Sequence, residues 1–119
     1  MRYRVTNLTR NTLLADHAGK ADSFMRRFKG LMGVTDFPMG HGLHIEPCNS
    51  IHTFFMKIPI DALFLDAKGE VVDVCHAMPA WRMSRVYFSA KSVLELPAGT
   101  ALASKTEAGD RLSFEAVAP

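Results

Sequence analysis

Ile51-His52-Thr53-Phe54-Phe55-Met56-Lys57-Ile58-Pro59-Ile60-Asp61-Ala62-Leu63-Phe64-Leu65-Asp66 is a run of β-branched and aromatic residues with few polar interruptions. That composition belongs to strands covered on both faces. Read as strands over 51–56 and 58–66, it forms the centre of the core. The polar stretch Asp66-Ala67-Lys68-Gly69 turns the chain into a further strand over 70–75, which completes a β-hairpin.

Working outward, residues 2–7 alternate, with Tyr3 and Val5 on one side and Arg2, Arg4 and Thr6 on the other, as in a half-buried edge strand. Residues 13–16 are expected to pair with it, 17–20 to form a loop, and 43–46 a short strand before Pro47. A loop is expected over 35–42, where Asp36, Pro38, Gly40 and Gly42 cluster. Beyond the hairpin, strands are expected over 92–96, stopped by Pro97-Ala98-Gly99, and over 111–117, with a helical turn over 100–105 between them.

The period changes after Ala21. Phe24, Met25, Phe28, Leu31 and Met32 recur at helical spacing, with Arg26, Arg27 and Lys29 in the gaps. This predicts an amphipathic helix over 22–32, capped by Asp22 or Ser23 and ended by Gly30 or Gly33. The expected fold is therefore mainly β: a compact sandwich or barrel-like single domain over 1–119, with seven or eight short strands and one short helix.

With 119 residues and 48% hydrophobic content, the chain can fill one core, and disorder over a long segment is not expected. No apolar run approaches the roughly 18–20 residues that span a bilayer. Residues 1–7 are basic without the apolar block of a secretory signal, so a cytoplasmic protein is expected. Two cysteines, Cys48 and Cys75, make no disulfide framework, although one bridge is geometrically open. The net charge of +2 is uneven: residues 1–33 hold seven Lys or Arg against two Asp, and 34–119 hold seven against ten acidic residues. Without interleaved aromatic readers or a groove-entering motif, nucleic acid is not the expected partner. A weaker reading makes Arg26, Arg27 and Lys29 a docking surface for an anion.

Candidate chemistry centres on few residues. His44, Cys48 and His52 recur every four positions, but in an extended strand four residues span about 13 Å, far more than one ion can bridge. No metal site and no cofactor is therefore expected. Cys48 with His52 is a candidate thiol nucleophile and base. Asp61 shares a strand face with Leu63 and Leu65, so its carboxylate should be partly buried. Such a group needs donors or a cation such as Lys57, Arg27 or His52, because burial without partners costs several kcal/mol. The plain reading is an anchor for backbone N–H groups of a neighbouring loop; the functional one is ligand binding or acid–base work. Trp81 and Arg82, in a loop, can form a stacking platform or cap the core rim.

Several ordered motifs carry a family resemblance: Gly30-Leu31-Met32, Pro47-Cys48-Asn49-Ser50-Ile51-His52-Thr53-Phe54-Phe55-Met56, Ile60-Asp61 with Phe64-Leu65-Asp66, and Val93-Leu94-Glu95-Leu96-Pro97-Ala98-Gly99. Through them the chain resembles the family catalogued as domain of unknown function 192, from about Asn11 to Phe114. The resemblance places Arg27 and Lys29 where that family has basic residues. It implies a compact, mainly β fold with a short helix and implies no activity. In one branch of the family the region of 52–56 lacks the Cys and His, whereas Asp61 fits both patterns.

Two functions are then open. The first is a non-catalytic binding or accessory domain presenting Met56, Asp61, Trp81 and Arg82 to a small polar ligand, glycan or protein partner. The second is a thiol- or metal-dependent hydrolase using Cys48, His52 and Asp61.

Overall fold

The computed structural model describes residues 2–21 and 30–118. Seven strands form one sheet: β1 (Arg2–Asn7), β2 (Thr12–Ala21), β3 (Gly40–Ile45), β4 (Ile60–Leu65), β5 (Val71–Met78), β6 (Ser92–Pro97) and β7 (Leu112–Val117). Their spatial order is β5-β4-β6-β3-β2-β1-β7. Neighbours run antiparallel except β2 and β3, which are parallel and so need a long connection between them.

The sheet curls strongly without closing into a barrel. Its two edges meet at one corner, where Glu70 bridges Arg111, Val71 N donates to Asp110 O at 2.7 Å and Leu112 N donates to Gly69 O at 2.9 Å. Gly69 is required there. Its φ is +82°, and a Cβ would lie 2.9 Å from the Leu112 carbonyl oxygen.

Every residue of β4 and of β6 is buried, as expected for strands covered on both faces. Side-chain alternation splits them between two cores. Leu63, Leu65, Leu94 and Leu96 point inward, where they pack with Val5, Leu14, Val71 and Leu112. Ile60, Ala62, Phe64 and Val93 point outward, beneath Leu31, Ile51, Met56, Met78 and Tyr87. The outer core thus depends on irregular segments that cross the sheet.

Three sequence expectations change. Residues 51–56 form no strand: His52 makes a single bridge to Met83, and the chain turns at Phe54 and Phe55. Their apolar composition reflects burial against the sheet rather than membership of it. Residues 17–20 are not a loop, because parallel pairing with β3 (His17 with His41, Ala18 with Gly42) extends β2 to Ala21. β3 likewise begins inside the expected loop, at Gly40. The helix expected over 22–32 falls largely outside the described residues; its last residues, Leu31 and Met32, lie in a turn, with Leu31 buried in the outer core. The short helix expected over 100–105 is present at Thr100–Ala103.

Candidate functional site

The segment after β3 lies over the outer face of the sheet and is tied to the loop that follows β5. Thr53 forms the knot. It is fully buried, its N–H donates to Arg82 O at 2.8 Å, its hydroxyl donates to Pro79 O at 2.6 Å and accepts from Arg82 N at 2.9 Å, and its carbonyl accepts from Trp81 N at 3.0 Å. Ile51 and Ser84 add a second link, Ser84 N to Ile51 O at 2.9 Å. The two irregular segments therefore act as one cover.

Under that cover is a cleft of about 70 Å³ whose described walls include Leu31, Met32, Cys48, His52, Met56 and Glu95. Glu95 comes from the middle of β6, opposite Leu43 on β3 and Ala62 on β4. It is only 3% exposed, and its Oε1 has no hydrogen-bond partner among the described residues. Burial pushes its carboxyl up to about 8. A carboxyl group in this position is costly to the apo protein, because desolvation is not offset by a donor.

Cys48 and His52 line the same cleft, and each has a hydrogen bond with nearby backbone. The Cys48 thiol donates to Ser50 O at 3.0 Å. His52 Nδ1 accepts the Phe54 N–H at 3.2 Å, so a neutral ring carries its proton on Nε2. In that tautomer Nε2 is a donor and Nδ1 is already occupied as an acceptor. His44 does not join them: it pairs with Leu94 on the inner side, stacks on Phe114 at 4.3 Å, and is lowered in pKa by burial. Among the described residues no three His, Cys, Asp or Glu side chains converge as a metal site would need. Cys48 and Cys75 are not bridged to each other.

An aromatic row leads away from the cleft wall. His52 stacks on Phe54 at 5.0 Å, Phe54 on Trp81 at 5.8 Å, and Phe55 tilts against Trp81 at 4.7 Å. Phe55 and Trp81 are 59% and 56% exposed and both have φ of 64°. Bulky residues rarely adopt that left-handed conformation, which costs roughly 1–2 kcal/mol each. The fold thus holds two large rings outward against both solvation and backbone preference. Arg82 is exposed beside them, its Nη1 reaching Trp81 O at 3.4 Å.

Asp61 lies apart from this site. It faces the inner core and is fully buried. Its Oδ1 accepts the Ala77 N–H at 2.8 Å, and its Oδ2 accepts those of Gly99 at 3.1 Å and Ala101 at 2.9 Å. It joins the end of β5 to the turn between β6 and the short helix. Of the four residues expected to form a binding surface, Met56 lines the cleft, Trp81 and Arg82 lie along the row that leads from it, and Asp61 occupies the opposite face of β4. Glu95 was not among the expected site residues, although its signal is of the same kind as that of Asp61: one carboxylate among Val93, Leu94 and Leu96.

The same architecture recurs in solved structures. A protein of unknown function from Novosphingobium aromaticivorans superposes with a TM-score of 0.80 at 19% identity, covering 93% of this chain and 82% of that one. A putative transcription regulator from Sinorhizobium meliloti gives 0.80 at 24% identity, covering 95% and 92%. At these identities the likeness is one of fold. In sequence, a UPF0127 protein of Thermococcus gammatolerans is 35% identical over 117 residues, 93% of this chain and 74% of that protein. One from Pyrococcus horikoshii is 34% identical over 115 residues, 92% and 97% of the two chains. The model of DUF192, described as "Uncharacterized ACR", matches residues 5–114. With the motif-bearing residues now placed on both faces of β4 and β6 and in the cover above them, the chain belongs to the DUF192 family.

Proposed function

We propose that this domain binds a small ligand without transforming it, taking a polar group into the cleft at Glu95 and laying an apolar or planar part along Phe54, Phe55 and Trp81. The observation that carries this reading is Glu95: a buried carboxyl whose Oε1 has no partner among the described residues, in the wall of a cleft that shares His52 with an aromatic row. A group that costs stability in the apo protein and would recover it on binding is the mark of a recognition site. The thiol-hydrolase alternative has one supporting feature, the shared cleft of Cys48 and His52. The geometry gives the Cys48 thiol to Ser50 O and the Phe54 N–H to His52 Nδ1, so neither of these hydrogen bonds links the two side chains, and Asp61 is on the wrong face to orient either group.

Trp81 is the sole tryptophan, so its fluorescence reports the row directly. The test is a panel of neutral, cationic and anionic phenylalkyl compounds titrated against the protein, followed by Trp81 emission and by NMR shifts of the backbone amides. Saturable shifts at Cys48, His52, Met56 and Trp81 support the proposal. No binder in the panel, or shifts confined to the inner face around Asp61, overturn it.

A further inference from the structure

We infer that the group Glu95 receives is a primary ammonium, so that the ligand class is a small aliphatic or arylalkyl amine in its protonated form. This rests on the binding reading above and narrows it. A buried carboxylate can recover its hydration only from a cation or from several neutral donors. The described walls hold no cation, and neither of their polar side chains, Ser50 and His52, bonds Glu95 Oε1. Glu95 Oε1 has no donor, and no Lys or Arg lines the cleft among the described residues. Apart from Ser50 and His52, the other side chains on the described walls are Leu31, Ile45, Ile51 and sulfur-bearing Met32, Met56 and Cys48. Thioethers and aliphatic carbons accept the CH₂ groups next to an ammonium but offer nothing to an anion. The Phe54 and Trp81 rings beyond His52 then suit the hydrophobic remainder of an amine, and their faces favour positive charge.

An alkylcarboxylate finds no cation on the described walls to balance its charge, and is repelled once Glu95 ionises. A neutral alcohol fits by shape yet returns only one hydrogen bond. A metal ion is a poorer match, because no three His, Cys, Asp or Glu side chains among the described residues converge on a common point.

The experiment compares 2-phenylethylammonium, 2-phenylethanol and 3-phenylpropionate by calorimetry and Trp81 fluorescence at neutral pH. The ammonium should bind at least tenfold more tightly than either the alcohol or the carboxylate. Because the Glu95 carboxyl is raised to about 8 in the apo protein, binding an ammonium at pH 7 should expel a proton, seen as a heat that depends on the buffer's ionisation enthalpy. His52 and Cys48 are the other titratable groups on the described cleft walls, and Glu95→Gln separates them from Glu95. It should abolish both the proton release and the preference for ammonium, whereas Glu95→Asp should keep the rank order. A thermal melt checks that each variant is folded. Equal affinity for ammonium and alcohol, or a preference unchanged in Glu95→Gln, overturns the ammonium assignment while leaving a binding site. If none of the three compounds binds, both fall.

Discussion

Replacing Asp61, the one polar residue of β4, with Ala should destabilise the fold strongly. The three N–H groups it accepts, from Ala77, Gly99 and Ala101, sit around a fully buried carboxylate. Truncation strands all three donors. At about 1–2 kcal/mol for each buried donor left unpaired, the loss is about 3–6 kcal/mol, a large share of a domain's usual 5–15 kcal/mol. Asp61→Asn should cost less, about 2–3 kcal/mol. Its single carbonyl oxygen best replaces Oδ2, which serves two donors, and its NH₂ then opposes the Ala77 N–H. Urea denaturation gives the two stabilities, and hydrogen exchange localises them: in Asp61→Asn the Ala77 amide should lose more protection than Gly99 or Ala101. An Asp61→Ala variant within about 1 kcal/mol of the parent, or Asn with uniform protection at the three amides, would refute the anchor argument.

Glu95 should make the apo protein lose stability as pH rises. Its folded pKa, about 8, exceeds the ordinary carboxyl value of 4.5, so between these values the unfolded chain binds fewer protons than the folded one, and stability falls by up to about 1.4 kcal/mol per pH unit. Glu95→Gln should flatten that slope in denaturation curves at pH 5 to 8; an unchanged slope would show that Glu95 ionises without strain. Asp110 has the opposite sign. Burial raises its pKa, but hydrogen bonds from Asn7 and Arg10 outweigh this and hold it low. Its contribution is present above the ordinary carboxylate pKa and lost as pH falls through the depressed value, so Asn7→Ala should weaken acid resistance in melts below about pH 4. Gly69→Ala should cost about 1–3 kcal/mol at the corner where the sheet edges meet, read as a lower denaturation midpoint. Alkylation at neutral pH should label Cys75 slowly, since burial raises its thiol, and His52→Ala should leave the Cys48 rate within about twofold if no proton passes between them.

The positions of most strands along the chain and the two-faced burial of β4 were legible because alternation is a local property. Ile60, Ala62 and Phe64 on one side and Asp61, Leu63 and Leu65 on the other follow from a period of two. The same local reading misassigned 51–56, because β-branched and aromatic residues report that a segment is buried, not that it pairs. What bends that segment is Thr53, whose four hydrogen bonds reach residues 79–82, a partnership separated by more than twenty-five positions. The site was legible in part for a related reason. Trp81 and Met56 stood out by residue type, whereas Glu95 gains its meaning only when β3 and β4 flank it and the cover closes above it.

The placement of the two strand-borne carboxylates argues for a division of labour. Asp61 and Glu95 lie on adjacent antiparallel strands, and Glu95 pairs with Ala62, the neighbour of Asp61. Both are buried, on opposite faces. Yet one accepts three backbone donors and the other leaves Oε1 without any. A fold selected only for stability has no use for the second arrangement, since an apolar residue of similar volume would serve the outer core better. Glu95→Leu therefore offers a direct contrast with Asp61→Ala. It should raise the denaturation midpoint at pH 8 while abolishing binding in the cleft, because the strain removed is the strain that binding relieves. If Glu95→Leu proved as damaging as Asp61→Ala, the carboxyl would be holding the fold together, and the cleft beside it would lose its claim to a ligand.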